Sequence, residues 1–312
     1  MHEDRADPIS GGELAAFVLA VETGTVSAAA EALQMTQSAV SKRLQLLERR
    51  LEATLLERGR FGVRATEAGQ LLYPEAKQAL VALRHAAAVV AEHTKQAPTL
   101  HLAASHTIGG YLLPGWIAGF RLREPGPQRA QVEIVNSQGV LALIRDGAFD
   151  VGFVESTHSL EGLSALTICR DEIVAVVAPT HRWAGRRVLP AHWLASEPFV
   201  TREIGSGTRA VATQALAGVG VDLSPTLETA STQSLKRAVL DGGFTLISRL
   251  AVEVEERAGA LCALAVSGVD LTRPLRAVRR RRASHSLVAE RFWRYLATFG
   301  DREGAAGVSA PP

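Results

Sequence analysis

The stretch ETGTVSAAAEALQMTQSAVSKRLQLLERRLEATLLERGRFGVR, residues 22–64, constrains this chain more than any other. Ala28, Ala29, Ala30 and Ala32 are small residues on a short helix, Gln34-Met35-Thr36 is a tight break, and a second helix starts at about Gln37. Two helices crossing steeply over a turn of three or four residues make a helix-turn-helix. Thr36 suits the N-cap of the second helix, since its hydroxyl can accept from a backbone N–H two or three residues on. Val40, Leu44 and Leu47, at spacings of four and three, form the buried stripe. Gln37, Ser38, Ser41 and Lys42 are left on the exposed first turns.

In such a motif the start of the second helix meets base edges in the major groove. Gln37, Ser38 and Ser41 are therefore the candidates for base-edge or nearby backbone contact. Glu57 to Arg64 reads as a small β-hairpin with glycine-containing turns, a wing whose arginines meet phosphates or the narrow minor groove. Thr36, Lys42, Arg43, Arg58, Arg60 and Arg64 are the candidates for that contact, with a solvated helix face as the alternative for Lys42 and Arg43. The formal net charge of +2 is too small for the whole molecule to cling to nucleic acid. Locally, Lys42, Arg43, Arg49, Arg50, Arg58, Arg60 and Arg64 outnumber Glu48, Glu52 and Glu57, which is the footprint that phosphate binding needs.

The run ELAAFVLAVETGTVSAAAEALQMTQSAVSKRLQLLERRLEATLLERGRFGVRATEAG resembles the winged helix-turn-helix of LysR-type transcriptional regulators nearly end to end. It departs at Leu56, where Phe is usual, at Val26, where an aromatic is usual, and at Thr54, where Pro is common. These departures touch packing rather than chemistry.

Leu14, Phe17, Val18 and Val21 give a first helix that stops near Gly24, and residues 1 to about 10 read as a polar tail. A long helix starts after the cap Thr66 and runs to about His93, a rod of about 40 Å. Pro74 should bend it without ending it. Its stripe of Leu71, Leu72, Ala79, Leu80, Leu83, Ala87 and Val90 is too apolar to stay wet, so dimerisation through this helix is expected, as in the family it resembles. Lys95 to Pro98 is a hinge.

Beyond the hinge, strands and helices alternate. Strands are expected at 100–104, 132–135, 150–154, 172–178, 199–201, 226–228, 244–248 and 275–280, and helices at 109–123, 139–146, 208–217, 232–240 and 286–299. Alternation implies parallel βαβ units open to ligands at the carboxyl ends of the strands. The segments AASHTIGGYLLP, VEIVNSQGVLALIRDGAFDVGFVE and REIGSGTRAVATQAL resemble the effector domain of LysR-type regulators, so the expected fold is α/β, an all-α winged helix-turn-helix followed by a two-lobed, periplasmic-binding-protein-like domain. The expected partition is 1–65 for DNA binding, 66–97 for the linker helix and hinge, and 98–302 for the effector domain, with a tail at 303–312. The first lobe takes about 98–171 and 275–302, the second about 172–274. The glycine-rich loop in LDGGFTLISRLAV is one residue shorter than usual.

Ser105, His106 and Thr107 follow the first strand at a helix start, and Ser206, Gly207 and Thr208 repeat that chemistry in the other lobe, which suits a small anionic effector. Ser137, Gln138, Glu155, Ser231 and Thr232 complete the candidate lining; each is otherwise a plain helix cap. His106 reads equally as an effector contact, a pH-sensitive group or a surface histidine. Arg279–Arg282 reads as a solvated strand end or subunit contact rather than a nucleic-acid site. Cys169 and Cys262, far apart and without metal-ligand spacing, read as two buried thiols. No catalytic motif, metal cluster or cofactor signature is present, which argues against an enzyme, and the amino-terminal head argues against a solute-binding module without regulatory role; these two are the alternatives to a regulator. The expected partners are double-stranded promoter DNA, a second copy of the chain as homodimer or homotetramer, and the effector, with RNA polymerase a further candidate. With no signal peptide or membrane span expected, the chain is placed in the cytoplasm.

Overall fold

A computed structural model describes residues 9–59, 62–93, 98–124, 129–155, 159–281, 283 and 285–300. Most of the expected polar tail, Arg60 in the wing, hinge residues 95–97, Arg282 and the tail from 303 lie outside them, as do the side chains of Arg58 and Val90. The chain divides into two compact units, residues 1–94 and 95–312.

In the first unit α1 (Gly11–Thr23) begins with a capping box: the Ser10 hydroxyl accepts from the Glu13 N–H, and the Glu13 carboxylate accepts from the Ser10 N–H. It ends at Gly24, as its sequence predicts. α2 (Val26–Ala32) and α3 (Gln37–Arg50) form the helix-turn-helix, and Thr36 caps α3 by accepting from the Ala39 N–H at 3.2 Å. β1 (Leu56–Gly59) and β2 (Gly62–Ala65) pair antiparallel as the wing, and α4 (Glu67–His93) continues unbroken through Pro74.

Phe17, Ala29, Val40 and Leu47 are fully buried at the centre of this unit, where each large apolar side chain contributes about 1.5–3 kcal/mol. The alanines of α2 matter because they present nothing beyond Cβ to α1 and α3. Arg50 Nη1 reaches both oxygens of buried Glu13 at 2.7 Å, tying α3 to the start of α1. The wing is fastened to the α1–α2 turn: the Val63 N–H donates to the Gly24 carbonyl at 2.8 Å, and a Cβ on Gly62 would sit 2.1 Å from that oxygen. The predicted stripe of α4 is divided. Leu72, Ala76, Ala79 and Leu80 pack on the unit's own core, Leu83 and Ala87 continue the same face in the open, and Leu71 lies off it, 72 % exposed.

The second unit runs β3 (Thr99–Ala104), α5 (His106–Tyr111), α6 (Leu113–Arg123), β4 (Arg129–Ile134), α7 (Ser137–Arg145), β5 (Val151–Val154), β6 (Leu163–Val177), β7 (Val188–Pro190), β8 (Phe199–Arg202), α8 (Gly207–Ala217), β9 (Pro225–Thr229), α9 (Thr232–Ala238), β10 (Phe244–Ser248), α10 (Glu253–Arg257), β11 (Cys262–Ser267), β12 (Thr272–Arg280) and α11 (Leu287–Gly300). The strand order is β4-β3-β5-β12-β6-β10-β8-β9, with β11 on β6 and β7 on β11. The β3–β4, β3–β5, β8–β9 and β8–β10 pairs are parallel, as alternation predicts.

β6 joins two lobes. As far as Glu172 it pairs with β12; from Ile173 it pairs with β10 and β11. In the first lobe one core lies between the sheet and α5, α6 and α11, and another under α7. The second lobe likewise has a core on each face of its sheet.

Several expectations need correction. The helix expected at 109–123 begins at His106 and breaks at Leu112, because Pro114 at the head of α6 lacks an N–H and crowds the carbonyl four residues back. The strand expected at 172–178 starts at Leu163, since Arg170 and Asp171 interrupt the apolar run without ending the ladder. β7, α10 and β11 were not expected. The helix expected at 232–240 ends at Ala238 and tightens to a 3₁₀ turn. Cys169 and Cys262 are half-buried rather than buried, each against a different lobe's core. No described helix is long and apolar enough to cross a membrane.

Candidate functional site

The first unit presents one polar helix face. With Val40, Leu44 and Leu47 turned inward, Gln37, Ser38 and Lys42 are exposed and Ser41 is half-buried. At 100° per residue these four fall on one arc, and exposed Gln45 joins it, four residues beyond Ser41. Gln45 is absent from the sequence-based candidates although this spacing marks it. The Thr36 and Ser38 hydroxyls lie 3.1 Å apart at the head of the arc. Arg43 stands apart: its Nη1 donates to the Gly12 carbonyl at 3.5 Å. On the wing, exposed Arg64 is opposite Glu57, and Arg58 is opposite Val63.

In the second unit the carboxyl ends of the parallel strands of both lobes come together where the lobes meet, and this junction is the candidate cleft. From the first lobe come Ser105 and His106 after β3, Asn136, Ser137 and Gln138 after β4, and Glu155 after β5. From the second come Arg202 at the end of β8 and Glu203 to Thr208 after it. The lobes touch here: the Gln138 N–H donates to the Gly205 carbonyl at 3.2 Å, and Asn136 Nδ2 to the Ile204 carbonyl at 3.3 Å. Gly207 is required by this closeness, because a Cβ there would meet the Ser137 hydroxyl at 2.7 Å.

A charge network lies on the strands that join the lobes. Arg273, 1 % exposed, donates through Nε and Nη2 to Asp171 Oδ2 at 2.9 and 2.7 Å, and through Nη1 to Thr208 Oγ1 at 2.9 Å. Ser248 donates to the other Asp171 oxygen at 2.8 Å, and Glu155 lies 3.9 Å from Arg273 Nη1. Burial makes such a network strong only when it is fully paired. Nothing in local periodicity marks Asp171, Arg273, Ser248, Asn136, Arg202 or Glu203. Their partners come from distant segments or from the turn of a loop.

The predicted lining residues divide by what they do. Ser206 caps α8, accepting from the Arg209 N–H at 3.5 Å, and Ser231 caps α9, accepting from the Ser234 N–H at 3.2 Å. Ser137 donates to Glu155 Oε2 at 3.4 Å. Ser105 makes no cap bond, and its hydroxyl is buried without a partner among the described residues. Thr107 is buried beside it. Ser231 and Thr232 make no hydrogen bond to the cleft among the described residues. His106 is half-buried and senses Arg202, Glu203 and Glu155; burial first, then the charge of Arg202, lowers its pKa below the usual histidine value.

The arginine run is tied to the first lobe. Arg279 bonds to Glu290 and lies over the Trp293 ring, Arg280 packs over Gly147, and Arg281 donates to the Leu163 carbonyl. This is a braced strand end.

Residues 12–70 match the family profile described as bacterial regulatory helix-turn-helix protein, lysR family, and residues 93–300 match that of the LysR substrate binding domain. The HTH-type transcriptional regulator Mb2303c of Mycobacterium bovis is 36 % identical over 273 residues, covering 84 % of this chain and 88 % of that protein. Full-length CbnR complexed with target DNA matches with a TM-score of 0.69 at 16 % identity, over 93 % of this chain and 99 % of that one. The effector binding domain of QuiR in complex with shikimate matches with a TM-score of 0.61 at 14 % identity, over 67 % of this chain and 99 % of that one. At these identities the two structures speak to the fold alone. With a helix-turn-helix unit and a two-lobed unit each matched by its own profile, the chain belongs to the LysR family of bacterial helix-turn-helix regulators.

Proposed function

We propose that this protein is a transcriptional regulator that reads promoter DNA through α3 and adjusts that binding to a small anionic metabolite held between its lobes. The observation that carries the reading is the arc of Gln37, Ser38, Ser41, Lys42 and Gln45, presented outward by a capped helix whose opposite face is locked into the core. Gln37, Ser38, Ser41 and Gln45 face base edges; Thr36, Lys42, Arg58, Arg60 and Arg64 hold the phosphate backbone. Arg43 serves the fold as much as the phosphates, given its bond to Gly12. Cocrystallised DNA on CbnR and shikimate on QuiR support the two binding roles by analogy of fold.

The output is regulation rather than turnover. Ser206 accepts from the Arg209 N–H and Thr208 from Arg273, and among the described residues neither hydroxyl is hydrogen-bonded to a histidine or carboxylate that could act as its base. Metabolite binding favours one degree of lobe closure and thereby shifts the population of DNA-competent protein.

Fluorescence anisotropy on duplexes from upstream of the gene tests the reading. Gln37→Ala should lower specific affinity by about 1–3 kcal/mol while sparing nonspecific binding, and Arg64→Ala should weaken all duplexes and reduce the salt slope by about one. Failure of the wild-type chain to bind any duplex at low ionic strength overturns it.

A further inference from the structure

Arg202, 3 % exposed at the end of β8, has among the described residues one partner for its guanidinium, the carboxylate of the next residue. Nε donates to Glu203 Oε2 at 2.8 Å and Nη2 to Oε1 at 3.0 Å, the two-point fork by which arginine grips a carboxylate. Consecutive strand residues point to opposite faces. The pair therefore exists because the chain leaves the strand at Glu203 and turns back, the Ser206 N–H donating to the Glu203 carbonyl at 3.2 Å. A guanidinium has five N–H donors. Among the described residues Arg202 uses only those of Nε and Nη2, so Nη1 has no protein acceptor. Across the cleft are His106, within electrostatic reach of both members of the pair, and beside it Ser105, whose buried hydroxyl has no partner among the described residues.

We propose that Arg202 is the anion anchor of the cleft and Glu203 its built-in competitor, so that a small oxyanion binds by displacing the Glu203 carboxylate from the Arg202 fork. The inference rests on reading the cleft as a metabolite site. The two partners differ in freedom. The Glu203 side chain is 23 % exposed and can swing to water, whereas Arg202 is enclosed and cannot follow. A buried guanidinium left unpaired is costly, so Glu203 departs only as another anion arrives, and binding is an exchange. Both residues belong to the second lobe, so anchor and competitor are supplied by the same turn after β8. Its effect is to lower apparent affinity by the fraction of time the fork is occupied. Glu203 thereby sets the concentration at which the protein responds.

Titration calorimetry of the full-length protein with sulfate and, separately, succinate tests this and distinguishes tetrahedral from planar oxyanions. Glu203→Ala and Glu203→Gln should each bind at least one probe about tenfold more tightly than wild type. Arg202→Gln should lose that binding. Arg202→Lys, which keeps the charge without the fork, should weaken it and serves where the glutamine variant does not fold. Unchanged affinity in both Glu203 variants, or wild-type affinity in both Arg202 variants, overturns the assignment. So does silence of both probes on every folded variant while duplex binding persists. If the probes bind as described but leave duplex affinity unchanged, the anchor stands and the reading of a metabolite-modulated regulator falls.

Discussion

Arg273 is the residue on which the junction between the lobes depends, because one guanidinium satisfies Asp171, Thr208 and, at longer range, Glu155. Arg273→Ala leaves two carboxylates buried without their cation, and breaking a buried pair from one side costs about 3–5 kcal/mol. The tryptophans, Trp116, Trp183, Trp193 and Trp293, all lie in the second unit, so urea unfolding followed by their fluorescence reads this loss without interference from the first. Removing both charges with Arg273→Met and Asp171→Leu should cost less than the single change. Protons act on the same unit. Burial lowers the pKa of both His106 and His285 below the ordinary value of 6.5, so between the folded and unfolded values the unfolded chain holds more protons. The stability that these two histidines contribute is therefore full above about pH 6.5 and falls as pH drops toward their lowered folded values. The double variant His106→Gln/His285→Gln should show a smaller loss of fluorescence-detected stability between pH 7.5 and pH 5; an undiminished loss assigns the pH response to other groups.

Among the elements, the wing shows how one residue can decide placement. Gly62 holds φ of 130° with its α-carbon against the Gly24 carbonyl, so Gly62→Ala combines a strained backbone with a 2.1 Å clash. A loss of about 1–3 kcal/mol is expected, read as a lower calorimetric transition of the first unit, with weaker duplex binding as the wing shifts. Elements fixed by their own residues were legible in the sequence: the Thr36 cap, the stripe of Val40, Leu44 and Leu47, and the Gly24 stop all act within a few positions. Elements fixed by distant partners were not. The first half of β6 carries Arg170 and Asp171 and looks like a loop until it is paired with β12, about a hundred residues on. The site follows the same division. Ser137, Gln138, Glu155, Gly207 and Thr208 were legible as strand-end and helix-start residues and do meet in the cleft. Arg202 looked like an ordinary strand end because nothing within a few positions marks it as buried, and Glu203 reaches it only through a turn. Ser231 was as easily read from sequence; its hydroxyl caps α9, and among the described residues no hydrogen bond joins it to the other candidates.

At the scale of the molecule, α4 poses the remaining question of cover. Over its first half, Leu72, Ala76, Ala79 and Leu80 are sheltered by the unit's own core; over its second, Leu83 remains 52 % exposed and Ala87 is open on the same face. A stripe that runs past the end of its own core is suited to a second copy of the same helix, and an antiparallel pairing about a twofold axis would cover both open halves at once. Two reading heads then engage one duplex together, which raises affinity by about 10²–10⁴ over a single head when the half-sites lie about one helical turn apart. Leu83→Glu combined with Ala87→Glu places charges in that seam; because Leu83 also lies against Gly11 at the start of α1, the thermal transition of the first unit is followed alongside. The variant should sediment as a monomer and bind the two-half-site duplex at least about 100-fold more weakly, yet bind a single half-site as the wild type does. Leu72→Ala, by contrast, should lower the thermal stability of the first unit and leave the association state unchanged. If the glutamate variant remains a dimer, α4 is not the seam and its open stripe is covered in some other way.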